Sequence, residues 1–139
     1  MASHFIGGVP PSFMKTQTLI LEGQLPAINE IIANSKTHWA NYSRVKRGNT
    51  NLIALQCKTQ RLKTFEHPVG IVFNHYRPNK RKDPDNVAGG AMKVILDGLV
   101  KAGILKDDTM EFVKCLHHTF NIDKVNPRIE VVFYESGNK

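Results

Sequence analysis

Apolar and polar positions alternate from Thr16 to Leu25, with Thr18, Ile20 and Glu22 on one side and Leu19, Leu21 and Gly23 on the other. That is the two-residue period of a half-buried strand, and Pro26 closes it. From Ala27 to about Leu62 the spacing turns helical but weak, with Ile28, Ile31 and Ile32 in one part and Leu52, Leu55 and Cys57 in another. The KRGNTN segment inside it is a candidate interruption. Val69 to Tyr76 is a β-branched and aromatic run of core-strand type. A second helix is expected from about Asn86 to Ala102, apolar at Val87, Ala91, Val94, Ile95, Leu96, Leu99 and Ala102, capped near Asp85 and stopped at Gly103. Two further strands are expected at Glu111–Phe120 and Arg128–Glu135, before a polar SGNK tail expected to be disordered.

These periods predict an α+β fold: a small mixed β-sheet packed by one long helix and a weaker N-terminal helical region. The 139 residues are the size of one domain, expected at 14–139. Residues 1–13 are expected to be an N-terminal extension or remnant outside the fold, with Met14 as an alternative start. They carry neither a basic n-region nor an apolar h-region, so they do not form a secretory signal.

Composition adds partners and compartment. The apolar fraction of 41% and charged fraction of 22% are those of an ordinary globular chain, and no apolar run approaches a membrane span. Cys57 and Cys115 are too few and too far apart for a disulfide framework or a cysteine zinc site, which fits a reducing cytoplasm. A net charge of +7 fits a polyanion such as nucleic acid, because basic side chains on phosphates release counterions. Arg44, Lys46, Arg47, Lys58, Arg61 and Lys63 either track a phosphate backbone or form a solvated face.

The densest chemistry lies in RPNKRKDPDN, where Arg77, Lys80, Arg81 and Lys82 directly precede Asp83 and Asp85, and Pro78 and Pro84 stiffen the backbone. Asp83, Asp85, Asp97, Asp107 and Asp108 fall in one stretch that a strand, a helix and a turn can fold together. Converging carboxylates repel unless a cation sits among them, and hard oxygen ligands suit Mg²⁺ or Mn²⁺. Such an ion would serve phosphodiester hydrolysis. Each motif also has a plainer reading. D-P-D-N can be a turn with a helix cap, Lys93 and Asp97 an ordinary i, i+4 surface pair, and Asp107–Asp108 a polar turn. Gly89 and Gly90, inside the helix, point to close approach by another backbone or subunit. His75, His117 and His118 are expected in core or surface roles, without a part in catalysis. Trp39, Tyr42, Phe73, Phe120 and Phe133 are expected as core rather than base-stacking platforms.

The segment from Arg81 to Asp108, RKDPDNVAGGAMKVILDGLVKAGILKDD, resembles the RusA family of Holliday-junction resolvases found in bacteria and prophages. LEGQLPAINEI and PRIEVVFYES extend the resemblance more loosely over most of the chain after Met14. It implies Asp83 and Asp85 as metal ligands, Lys93 as the catalytic lysine, and Asp108 as a third acidic catalytic and metal-binding residue, with Asp97 at a further acidic helix position. The helix between D-P-D-N and Lys93 is about one turn longer than in the archetypal bacterial enzyme, accommodating AGGA. The resemblance also implies Mg²⁺ with Mn²⁺ as substitute, a homodimer, and symmetric cutting of four-way junctions in DNA recombination and repair. Arg77, Lys80, Arg81, Lys82 and Asn86 are the expected DNA contacts. Two rivals remain open: a non-catalytic basic DNA-binding protein, and a metal-dependent nuclease cutting flaps, duplex or RNA.

Overall fold

The computed structural model describes residues 15–23, 39–81 and 83–135, with the backbone alone described at 39–47 and 86. The elements are β1 (Lys15–Glu22), α1 (Trp39–Thr59), β2 (Val69–Arg77), α2 (Pro84–Lys101), β3 (Val113–Ile122) and β4 (Arg128–Glu135). The fold is α+β, as the periodicities imply. Expectations for residues 1–13, for 24–38 and for the SGNK tail lie outside the described residues. No helix among the described residues is long and apolar enough to cross a membrane.

The sheet order is β1-β4-β2-β3. β4 pairs antiparallel with both β1 and β2, whereas β2 and β3 run parallel. A parallel pair needs a crossover, and α2 supplies it. The loop entering α2 therefore lies at the carboxyl ends of β2 and β3, and the loop leaving it lies at their amino ends.

Alternation decides which side of the sheet is covered. Leu19 and Leu21 of β1, Ile71 and Phe73 of β2, and Ile129, Val131 and Phe133 of β4 form one core with Ile53 and Cys57 of α1 and Val94, Ile95 and Leu99 of α2. Burial raises the Cys57 thiol to a pKa of about 11. Helix α1 runs unbroken through Gly48 and the KRGNTN segment. One mid-helix glycine costs about 1 kcal/mol, less than the roughly 1.5–3 kcal/mol gained by burying a side chain such as Ile53. The close approach of the helices falls at Gly98, where an added Cβ would overlap the side chain of Ile53. Of Gly89 and Gly90, the glycines expected to allow such an approach, Gly90 is buried in the same helix.

Both helices end in the same hydrogen-bonded cap. After α2, Gly103 adopts φ +77°, its N–H donates to Val100 O (3.0 Å), and Ile104 N–H donates to Leu99 O (3.0 Å). After α1, Arg61 takes the equivalent position at φ 61°, with Arg61 N–H on Lys58 O (3.1 Å) and Leu62 N–H on Cys57 O (3.0 Å). Phe65 N–H then donates to Ile104 O (2.9 Å). Buried Glu135 accepts the N–H groups of Glu66 and His67. The amino-end side of β2 is thus held by the Phe65–Ile104 backbone bond and by the Glu135 carboxylate.

The two outer strands differ. On β1 the side chain of Gln60 takes the place of a neighbouring strand, accepting Ile20 N–H (2.9 Å) and donating to Ile20 O (2.7 Å). On β3, Leu116, Phe120 and Ile122 remain exposed.

Candidate functional site

Strand β2 delivers the loop of residues 78–83 at its carboxyl end, the usual place for ligands in open sheets with parallel strands. Arg77 is half-buried, whereas Lys80 and Arg81 are exposed. Asn79 Oδ1 accepts Arg81 N–H (2.9 Å), tightening the turn between them. Asp83 is the N-cap of α2 in extended conformation (φ −70°, ψ 147°), and Pro84 opens the helix. The Asp83 carboxylate makes no capping hydrogen bond. Asp85 follows in the first helical turn, and both aspartates are exposed. Lys82 and the side chain of Asn86 lie outside the described residues, as do the side chains of Trp39, Tyr42, Arg44, Lys46 and Arg47. Lys58, Arg61 and Lys63 are exposed.

The other acidic residues stand elsewhere. Lys93 Nζ lies 3.6 Å from Asp97 Oδ1, the i, i+4 surface pair of the plainer reading, with Lys93 62% exposed. Asp107 Oδ1 accepts the backbone N–H of Asp108 (2.8 Å), and both residues are exposed. The 18 residues of α2 rise about 27 Å, which separates the D-P-D end from the Asp107–Asp108 end. No group of three or more His, Cys, Asp or Glu placed to hold a metal occurs among the described residues. Within one chain α2 holds Asp108 at the opposite end of the strands from Asp83 and Asp85, because a crossover helix runs back along the length of the strands it joins.

The histidines, expected singly in core or surface roles, are not all separate: the structure joins His75 and His118. Parallel pairing sets Phe73 opposite His118 and His75 opposite Phe120. Phe73 and His118 stack with centroids 4.6 Å apart, and His75 and Phe120 with centroids 5.2 Å apart. His75 Nε2 lies 2.9 Å from His118 Nδ1. His75 is fully buried, and its Nδ1 has no hydrogen-bond partner among the described residues. Burial, then the charges of His118 and Arg77, lowers the His75 pKa to about 4, and burial followed by His117 lowers that of His118. Both rings are therefore neutral near pH 7. Only knowledge of the β2–β3 register could have found this pair, since the two residues are 43 positions apart.

Phe73 and Phe133 are core, as expected, but Phe120 is 43% exposed. On the sheet's other face, Arg128 bonds Glu130 (2.7 Å) and Asp123 (2.8 Å) and lies 3.9 Å from the Tyr76 ring centroid. The N–H of Asn126, then the Arg128 guanidinium, hold the Asp123 pKa below its usual value. This network fixes the β3–β4 turn.

A scan against protein-family models and a search of curated proteins both return no match.

Proposed function

We propose that this chain is a metal-dependent endodeoxyribonuclease that resolves Holliday junctions or related branched DNA, acting as a homodimer. One observation carries the reading. The Asp83 carboxylate opens α2 without capping it, Asp85 follows in the first helical turn, and the cations Arg77, at the end of β2, and Lys80 and Arg81, on the loop between, precede them. A carboxylate that caps nothing, beside phosphate-binding cations, fits ligation of Mg²⁺, which is typically held by one or two carboxylates and completed by substrate phosphates. When bound, Mg²⁺ (or Mn²⁺) supplies charge stabilisation and an acidified water for phosphodiester hydrolysis.

The protein's own groups do the rest. Lys80 and Arg81, with Arg77, hold the DNA backbone, and Lys82 and Asn86 extend that contact by sequence position. Lys93 exchanges Asp97 for a DNA phosphate, bringing positive charge near the scissile bond. Asp108 joins Asp83 and Asp85 only from a second copy. Two chains opposed across a two-fold axis would set the D-P-D end of each against the Asp108 end of the other, giving two equivalent sites for two equivalent junction strands.

A second reading, a non-catalytic DNA-binding protein, draws on the absence of a three-carboxylate cluster in the described residues of one chain. Incubating a synthetic four-way junction with Mg²⁺, Mn²⁺ or EDTA, beside linear duplex and flap controls, separates the two. Paired cuts that require metal and vanish in Asp85→Asn support the resolvase. Tight binding without cutting in any metal supports the alternative.

A further inference from the structure

Where the crossover loop meets the end of β3, Arg77, Asn79, Lys80, Pro84, Val87, Phe120, Asn121 and Ile122 enclose an open cavity of about 310 Å³. Its composition is divided. Phe120 and Ile122 give an exposed apolar wall, 43% and 44% accessible, and Arg77 and Lys80 give a cationic rim. Phe120 is also braced. His75 stacks beneath it with the planes 8° apart, and His75 itself is fully buried. The ring is therefore a firmly held aromatic surface at the end of a stack of neutral rings, not a loose surface side chain.

A flat aromatic face next to cations that reach a phosphate is the chemistry that receives an unpaired nucleobase, and the volume lies within the range of small-ligand sites. We propose that this cavity binds one unstacked DNA base, stacked on Phe120 with its phosphate on Lys80 and Arg77, beside Asp83 and Asp85. The proposal rests on the nuclease reading for its substrate class. It gives that reading a source of preference for branched DNA, since a base at a branch point leaves its stack at less cost than one inside a duplex.

The test uses a branched DNA with 2-aminopurine at an unpaired position, titrated in EDTA so that no cleavage competes. Wild type and Phe120→Tyr are expected to quench its fluorescence by stacking. Phe120→Leu is expected to lose the quenching and bind this DNA about tenfold more weakly, while its affinity for paired duplex stays within about threefold. Lys80→Ala is expected to weaken both DNAs alike. No quenching by wild type, or equal quenching and affinity in Phe120→Leu, overturns the proposal. So does a change in sedimentation of Phe120→Leu with quenching intact, which would reassign the cavity to a protein contact. Junction cleavage by wild type in Mg²⁺ is read in parallel. Cleavage with an unaltered Phe120→Leu removes the base site alone, whereas quenching without cleavage in any metal removes the nuclease and leaves the base site standing.

Discussion

The two ends of the β2–α2–β3 unit are built on opposite principles. At the amino ends of the strands, both helices finish in hydrogen-bonded caps, Phe65 bonds Ile104, Glu135 fastens residues 66 and 67, and Gly98 lets Ile53 into contact. At the carboxyl ends, α2 starts on an aspartate that makes no capping bond, the loop is cationic and exposed, and Phe120 and Ile122 line an open cavity. The contrast teaches that packing strength is concentrated where the chain needs support. Exposed charged groups collect at the other end, on a loop and a helix start where a ligand can reach them. Substitutions at the first end should act on stability, and those at the second on DNA chemistry.

The sharpest division is expected from Asp85→Asn. It should cut metal-dependent junction cleavage by about a thousandfold or more while junction binding is kept or strengthened. The thermal midpoint should stay within a degree or two, since the residue is exposed. A large loss of melting temperature would break the division.

The next effect is on pH. His75 titrates at about 4 when folded, against 6.5 for the free side chain. Neutral His75 therefore favours the folded state fully above pH 6.5, and this contribution is lost as pH falls toward 4. Up to roughly 3 kcal/mol is at stake. Urea midpoints at pH 7 and pH 4.5 should show the loss in wild type and a smaller one in His75→Phe. Equal losses would assign the acid sensitivity elsewhere.

At the locked end, Gly98→Val should cost about 1–3 kcal/mol through overlap with Ile53, and Ile53→Ala in the same chain should recover part of it. Additive costs in the double-mutant cycle would deny the contact. The smallest effect is a gain. Arg61→Gly should stabilise by about 0.5–1 kcal/mol, because glycine adopts the left-handed cap position without steric cost.

Much of this fold was legible along the chain, because it rests on local pattern. The apolar run of β2, the helical spacing from Val87 to Leu99 and the stop at Gly103 all appear at the expected places. The i, i+4 pairing of Lys93 with Asp97 was equally readable. What escaped is set by contacts distant in sequence. The KRGNTN segment stays helical because Ile53 and Cys57 pack on the core, which local propensity does not register. The His75–His118 pair follows from a parallel register, and the exposure of Phe120 from the position of β3 at the sheet edge. The candidate site divides in the same way. The loop cations and Asp83–Asp85 are neighbours because they are sequence neighbours, whereas Asp108 is held away by the length of α2.

That separation makes one measurement decisive. Asp85→Asn and Asp108→Asn chains, each inactive alone, are co-expressed so that subunits mix, and junction cleavage is assayed in Mg²⁺. If each site takes Asp85 from one chain and Asp108 from the other, every mixed dimer holds one intact site. About a quarter of the wild-type sites should then return, as single-strand nicks rather than paired cuts. Activity no higher than that of the separate variants, or full activity in Asp108→Asn alone, would contradict a site assembled from the opposite ends of two copies.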